Sequence, residues 1–387
     1  MRKTILSLGG MVLAMSVLVA CSDDGGSATD DLKQDAMETY AEGVHASYAA
    51  SLASAQTMDV AIDAFVASPT QATLDAARQA WLAARDDYGP TEAFRFYGGP
   101  IDNEEDGPEG LINAWPLDEA YIDYVEGDPE AGIINRVDEF PEIDADVLLS
   151  LNEVGGETNI ATGWHAIEFL LWGQDLSEDG PGDRPASDYV DAPNADRRGE
   201  YLVVATDLLL MHLQSLVDAW APDAEGNYRE EFLAMEPNDA LELVITGIGE
   251  MSRGELGGER MTVAYEERSQ EDEHSCFSDN TTNDIIANAL GIQRVYLGQY
   301  PGVDGTGIYH VVQSVDEDLA DRLTAELEAS VAAARAIPAP FDQHLRDDVA
   351  DSSEGRAAML ATIEALGTQT DSIVEAATAI GVTISVS

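Results

Sequence analysis

Apolar residues recur at three- and four-residue intervals along most of this chain. Leu74, Ala77, Trp81 and Ala84 mark one helix face, since positions three and four apart share a side of a helix. Thr73 is placed to cap that helix and Gly89-Pro90 to stop it. A second stripe runs Leu202, Ala205, Leu209, Leu213, Leu216 and Trp220 and ends at Pro222. A third runs Leu319, Leu323, Leu327 and Val331 and ends at Pro338. Ser353 caps a fourth that carries Leu360, Ile363 and Leu366, and Leu32, Tyr40, Val44 and Tyr48 make a fifth. Strand-like alternation is rare, and Thr383 to Val386 is its best instance. The pattern predicts an all-α protein built of helical bundles.

The breaks fall in Gly-, Pro- and Asp-rich stretches at 98–110, 178–199 and 300–308. A chain of 387 residues suggests two domains. The 178–199 stretch divides it best, into residues 32–199 and 200–387.

The first twenty residues stand apart. Arg2 and Lys3 precede an uncharged apolar run from Ile5 to Ala20, and Leu18-Val19-Ala20-Cys21 resembles a bacterial lipobox. That pattern reads as a secretory signal, with cleavage before Cys21 and lipidation of its thiol. Residues 21–31 then read as a flexible tether. Ser22, rather than aspartate, follows the cysteine, which points to the outer membrane, facing the periplasm or the surface. The membrane is touched through this lipid alone. With Cys21 lipidated, Cys276 is the only cysteine in the mature fold, so an internal disulfide and a CxxC metal site are both excluded.

The net charge is −55. Such a field repels nucleic acid and attracts cations without selectivity. Acids this dense also produce metal-like spacings by chance, so spacing alone carries little weight.

One segment rises above that background. In Gly163-Trp-His-Ala-Ile-Glu-Phe-Leu-Leu-Trp-Gly173, His165 and Glu168 stand three apart among bulky apolar residues, with Trp164 beside them. On a helix the two side chains can chelate one cation or hydrogen-bond each other. Burying both costs several kcal/mol unless they are paired or ligated. The residues alone leave a ligand or catalytic role and a satisfied core histidine evenly balanced. HExxH, HxxEH, GxSxG and P-loop motifs are absent. Elsewhere, Arg95 is set to pair with Glu92, and Asp118 and Asp279 are placed as helix N-caps or as site acids. Arg253 and Arg260 are scarce cations in an acidic chain, suited to neutralising buried carboxylates or holding an anionic ligand. His274 lies in a segment that mixes soft and hard donors.

The Gly163-x-His165-x-x-Glu168 motif resembles the GxHxxE signature of the imelysin-like (peptidase M75) family. Tyr88 to Asp102, Gly107 to Val125 and His274 to Ile285 resemble its iron-regulated protein A branch. The resemblance spans residue 32 to the end. It implies two helical bundles related by pseudo-symmetry, a site near their interface, and an envelope lipoprotein linked to iron supply. Ferrous-uptake relatives add a glutamate from an earlier helix to the HxxE pair, and Glu92 matches that position. The resemblance therefore implies His165, Glu168 and Glu92 as metal ligands. Arg95, Asp118, Trp164, Arg253, Arg260, His274 and Asp279 are carried as ligand-binding or supporting residues. The expected cofactor is iron or another divalent metal, bare or on an iron-bearing ligand, with an envelope protein as a further partner. One identifiable histidine is too few for a metallopeptidase site, so binding is favoured over peptide cleavage. A third reading makes the HxxE pair a surface for a protein partner without metal.

Overall fold

The computed structural model describes residues 24–177 and 179–386. The signal segment and Cys21 lie outside the described residues. Helix α1 spans Asp24–Ala67. The stretch expected as a tether, residues 21–31, is therefore helical from Asp24 onward. Helix α2, Gln71–Tyr88, is capped by Thr70, whose hydroxyl accepts from the Thr73 amide. Thr73 is the third residue of that capping box rather than the cap itself. A 3-10 turn, Gly89–Phe94, follows directly, with Pro90 at its start.

Beyond a stretch of loops and short helices come α3, Gly163–Trp172, and α4, Ala195–Ala219. Then follow α5, Pro237–Glu250, a π-helical segment, Met251–Thr262, and α6, Thr281–Leu297. Helices α7, Glu317–Ala334, and α8, Glu354–Ala379, complete the set of long helices among the described residues. Their only sheet is a two-stranded antiparallel ribbon, Gln299–Tyr300 with Val303–Asp304. The fold is all-α. The expected C-terminal strand does not form. Residues 382–386 carry no ladder, and Val386 packs where a side chain on Gly249 would stand.

Three of the apolar stripes bury as read: Leu74, Ala77, Trp81 and Ala84 on α2; Leu202 to Leu216 on α4; Leu319 to Val331 on α7. On α8 the buried face is rotated. Leu360 is exposed, and Met359, Thr362, Leu366, Gln369, Thr370 and Ile373 are buried. The polar members have a reason to be inside. Gln369 and Thr370 each reach the Ser252 hydroxyl at 2.8 Å, on the π-helical segment.

The 178–199 stretch does not lead away from the preceding helices. Helix α4 packs back on α1 and α3, and one apolar core continues from α1 to α8. Fully buried Asp123 anchors this stretch. It accepts from Arg184 at 2.6 Å, from Arg198 at 2.6 and 2.8 Å, and from Asn135 at 3.1 Å. Burial would raise its carboxyl, yet the two guanidiniums hold it at about 2. Asp123→Asn leaves buried Arg198 without a carboxylate and Arg184 with Asp188 alone, at 3.5 Å, and we expect it to cost about 3–5 kcal/mol. Chemical denaturation checks this, and a loss below about 1 kcal/mol would assign the anchoring to packing instead.

Candidate functional site

Two glycines set the site by letting backbones touch. Gly163 opens α3 at φ +86°, and a Cβ there would stand 2.4 Å from the Ile112 carbonyl oxygen. Only glycine satisfies both demands, so the first residue of GxHxxE is explained by packing. Gly291 lets α6 lie against the 3-10 turn, where a Cβ would meet the Pro90 carbonyl oxygen at 2.4 Å. That contact brings Glu92 beside Asn288 and Arg260 from the C-terminal half.

All ten residues of α3 are buried. His165 Nδ1 and Glu168 Oε2 lie 2.8 Å apart. The other carboxyl oxygen of Glu168 accepts from the Ser278 amide at 2.9 Å and the Ser278 hydroxyl at 2.7 Å. Burial pushes Glu168 up to about 8 against those two bonds. Burial, then the Arg85 guanidinium, pushes His165 down to about 3. Both shifts favour the uncharged form of each partner. His165 Nε2 is buried and has no hydrogen-bond partner.

A second histidine–carboxylate pair lies beside the first. His274 Nδ1 is 2.9 Å from Asp284 Oδ2. Its ring packs edge-on against His165, centre to centre 4.7 Å, and against Trp115 at 5.8 Å. Burial and then Arg260 lower His274 to about 3. Arg85, fully buried, donates to Asn113 at 2.6 Å and to Asp284 at 3.0 Å. Its guanidinium also lies over the rings of Trp81, Tyr88 and Trp164. Burial would raise Asp284, but Arg85 and His274 hold it far below the usual carboxylate range.

Glu92 belongs to a third group. It accepts from Arg260 at 2.5 Å and Arg95 at 3.2 Å. Burial would raise it, and the arginines instead hold it well below an ordinary glutamate. Arg260 also bonds Glu255 at 2.7 Å, and Arg95 meets Glu109 at 3.0 Å. Glu255 and Arg260 are five residues apart, and the π-helical winding puts both on one side.

These groups lie under a cleft of about 380 Å³ between the two halves of the chain. Its wall includes Arg95, Asn113, Trp115, Glu255, Arg260 and His274, with Glu153, Glu157 and Glu259 also lining it.

The expected ligand set does not close. Glu92 faces two guanidiniums, and both Glu168 oxygens are engaged. Among the described residues, no three His, Cys, Asp or Glu side chains are arranged to hold a metal ion. The donor that fits a metal is the unpartnered Nε2 of His165, with Glu168 behind it as the orienting carboxylate.

The remaining candidates divide. Trp164 is buried beside Arg85, and its carbonyl accepts from Trp81 Nε1. Asp118 is exposed and caps a short helix through the Ala120 amide, so it takes its capping role. Arg253 is partly exposed and bonds Asp371 and the Gly367 carbonyl, on α8. Asp279 does not cap α6; Asn280 holds that position, and Asp279 is left-handed at φ +58°. Sequence reasoning missed Arg85, Asn113, Ser278, Asp284 and Asn288. Arg85 carried a signal, being four residues from Trp81 on the apolar stripe of α2.

Burial, then Asp342, Asp175 and Glu168, push Asp279 up to about 7. Its protonated form is thus favoured in the fold. The stability this gives is complete below about pH 4 and is lost as pH rises through 7. Asp279→Asn removes the loss and suits a positive φ. We expect its melting temperature to exceed the parent's by more at pH 8 than at pH 4, with an effect below about 1 kcal/mol because the side chain is partly solvated. An equal gain at both pH values would assign the effect to backbone conformation alone.

The imelysin (peptidase M75) family model matches residues 44–373. Iron-regulated protein A of Synechococcus elongatus is 26% identical over 382 residues, covering 96% of this chain and 92% of that protein. In fold, the chain resembles an imelysin-like protein from Psychrobacter arcticum, with TM-score 0.65, 14% identity, and coverage of 92% of this chain and 97% of the other. It also resembles the crystal structure of a candidate iron-regulated protein A precursor from Parabacteroides distasonis. There the TM-score is 0.68 at 19% identity, over 89% of this chain and 95% of that one.

Proposed function

This chain belongs to the imelysin family, and from that premise we propose that it is a lipid-anchored envelope protein that binds iron or a similar transition metal for uptake. The metal sits at the floor of the interface cleft, with its remaining positions filled by water or by a small ligand that arrives with it. The observation that carries this reading is His165 Nε2, buried and unpartnered, one ring away from the cleft wall. Metal binding would release the Glu168 proton; Nδ1 then donates its hydrogen to that carboxylate, and Nε2 presents a lone pair. An imidazole nitrogen suits iron, zinc or copper better than calcium or magnesium. Charge does not forbid a cation here. Arg85, Arg95 and Arg260 face four carboxylates, Glu92, Glu109, Glu255 and Asp284.

Binding is a better reading than peptide cleavage. A metallopeptidase needs three protein ligands and a free general base, and the bonds to His165 and Ser278 occupy Glu168. The Cys21 lipid would hold the chain at the outer membrane. Uptake of labelled iron by iron-limited host cells tests the role. Cys21→Ser and His165→Ala are each expected to lower it, and uptake unchanged by both would overturn iron supply as the function.

A further inference from the structure

We infer that the metal is held by two imidazoles, His165 Nε2 and His274 Nε2, and that Glu168 and Asp284 orient them from behind rather than bind. This rests on the metal-binding reading above and replaces the HxxE chelate within it.

The two histidines are built alike. Each directs Nδ1 at a buried carboxylate, Glu168 at 2.8 Å and Asp284 at 2.9 Å. Each carboxylate is itself fixed, Glu168 by Ser278, and Asp284 by Arg85 and Asn280. A carboxylate on one ring nitrogen sets the tautomer and leaves the other nitrogen for the metal. His165 Nε2 has no partner, and His274 Nε2 meets only Asn113 Nδ2 at 3.5 Å, a contact too long to be strong.

The spacing of the rings agrees. With metal–nitrogen bonds of about 2.1 Å, two imidazoles on neighbouring positions of one metal have ring centres roughly 4.6–5.3 Å apart. The observed separation is 4.7 Å. His274 also lines the cleft, so a metal bound to it meets solvent or a ligand on its outer side. Neither glutamate of the expected set competes, since Glu92 serves Arg260 and Arg95, and Glu168 has no free oxygen. Two protein donors leave an open coordination sphere, which suits a metal that is handed on rather than kept.

The test uses Cu²⁺ as a probe on the metal-stripped chain from Ser22 onward, at high salt to suppress binding by surface acids. Pulsed electron paramagnetic resonance counts imidazoles through their remote nitrogens, and it does so on the unaltered chain. One site with two imidazoles is expected. His274→Asn and His165→Asn should each leave one imidazole and weaken binding at least about 100-fold. Glu168→Gln and Asp284→Asn should keep both and weaken binding about 10–100-fold. One imidazole in the unaltered chain, unchanged by His274→Asn, would overturn the two-histidine site and leave metal at His165 standing. No tight site in the unaltered chain would overturn both readings together.

Discussion

Arg85→Met is expected to lower folding stability by about 3–5 kcal/mol, the range for removing one partner of a buried ion pair. Arg85 is completely buried in the middle of α2. It carries bonds to Asn113 and Asp284 and lies over three aromatic rings. Methionine keeps much of the bulk and removes the charge, so the loss isolates electrostatics from packing. Asp284 would be left with neutral donors, His274 and Asn280 among them, at a site no water can screen. The double variant Arg85→Met/Asp284→Asn should recover more than half of the loss, because neither charge is then stranded. Denaturant titration of the three chains checks this. A double variant no better than the single would show that Asp284 was not the partner that mattered.

Glu92→Gln separates two roles that the sequence alone could not. As counter-ion to Arg260 and Arg95, Glu92 is a structural charge between the two halves of the chain. Its loss leaves two mostly buried guanidiniums to Glu255 and Glu109. We expect a stability cost of about 3 kcal/mol and a change in metal affinity of less than about tenfold. A metal ligand would behave the other way, with affinity falling about 100-fold or more and stability of the metal-free chain little altered or improved. Melting of the stripped protein and metal titration, done side by side, distinguish the two.

The bundle was legible because burial and helical period coincide on α2, α4 and α7. It was less legible on α8, where Gln369 and Thr370 are buried to meet Ser252, Thr362 is buried on the Ala358 carbonyl, and a hydropathy stripe follows Leu360 instead. Thr383 to Val386 alternates like a strand, but among the described residues no neighbouring strand offers a ladder. At the site, His165 and Glu168 were visible as an ionisable pair in an apolar helix. The Ser278 bonds to Glu168 and the neighbouring His274–Asp284 pair were not, since both come from a distant segment in which Ser278 and Asp284 look polar and ordinary. The roles of Glu92 and Arg260 were half visible. A scarce arginine suggested a buried carboxylate, and the structure pairs it with the very glutamate the family pattern offered as a ligand. Asp118 and Asp279 show the limit of capping rules. The first caps a helix, and the second stands one residue too early.

The central claim is a metal held at His165, and calorimetric titration of the metal-stripped chain with ferrous iron and with zinc tests it most directly. One tight site per chain, abolished in His165→Ala and persisting at high salt, is the predicted result. Weak uptake at many sites, unchanged by His165→Ala and suppressed by salt, would contradict it and return the cleft to an organic ligand or a protein partner.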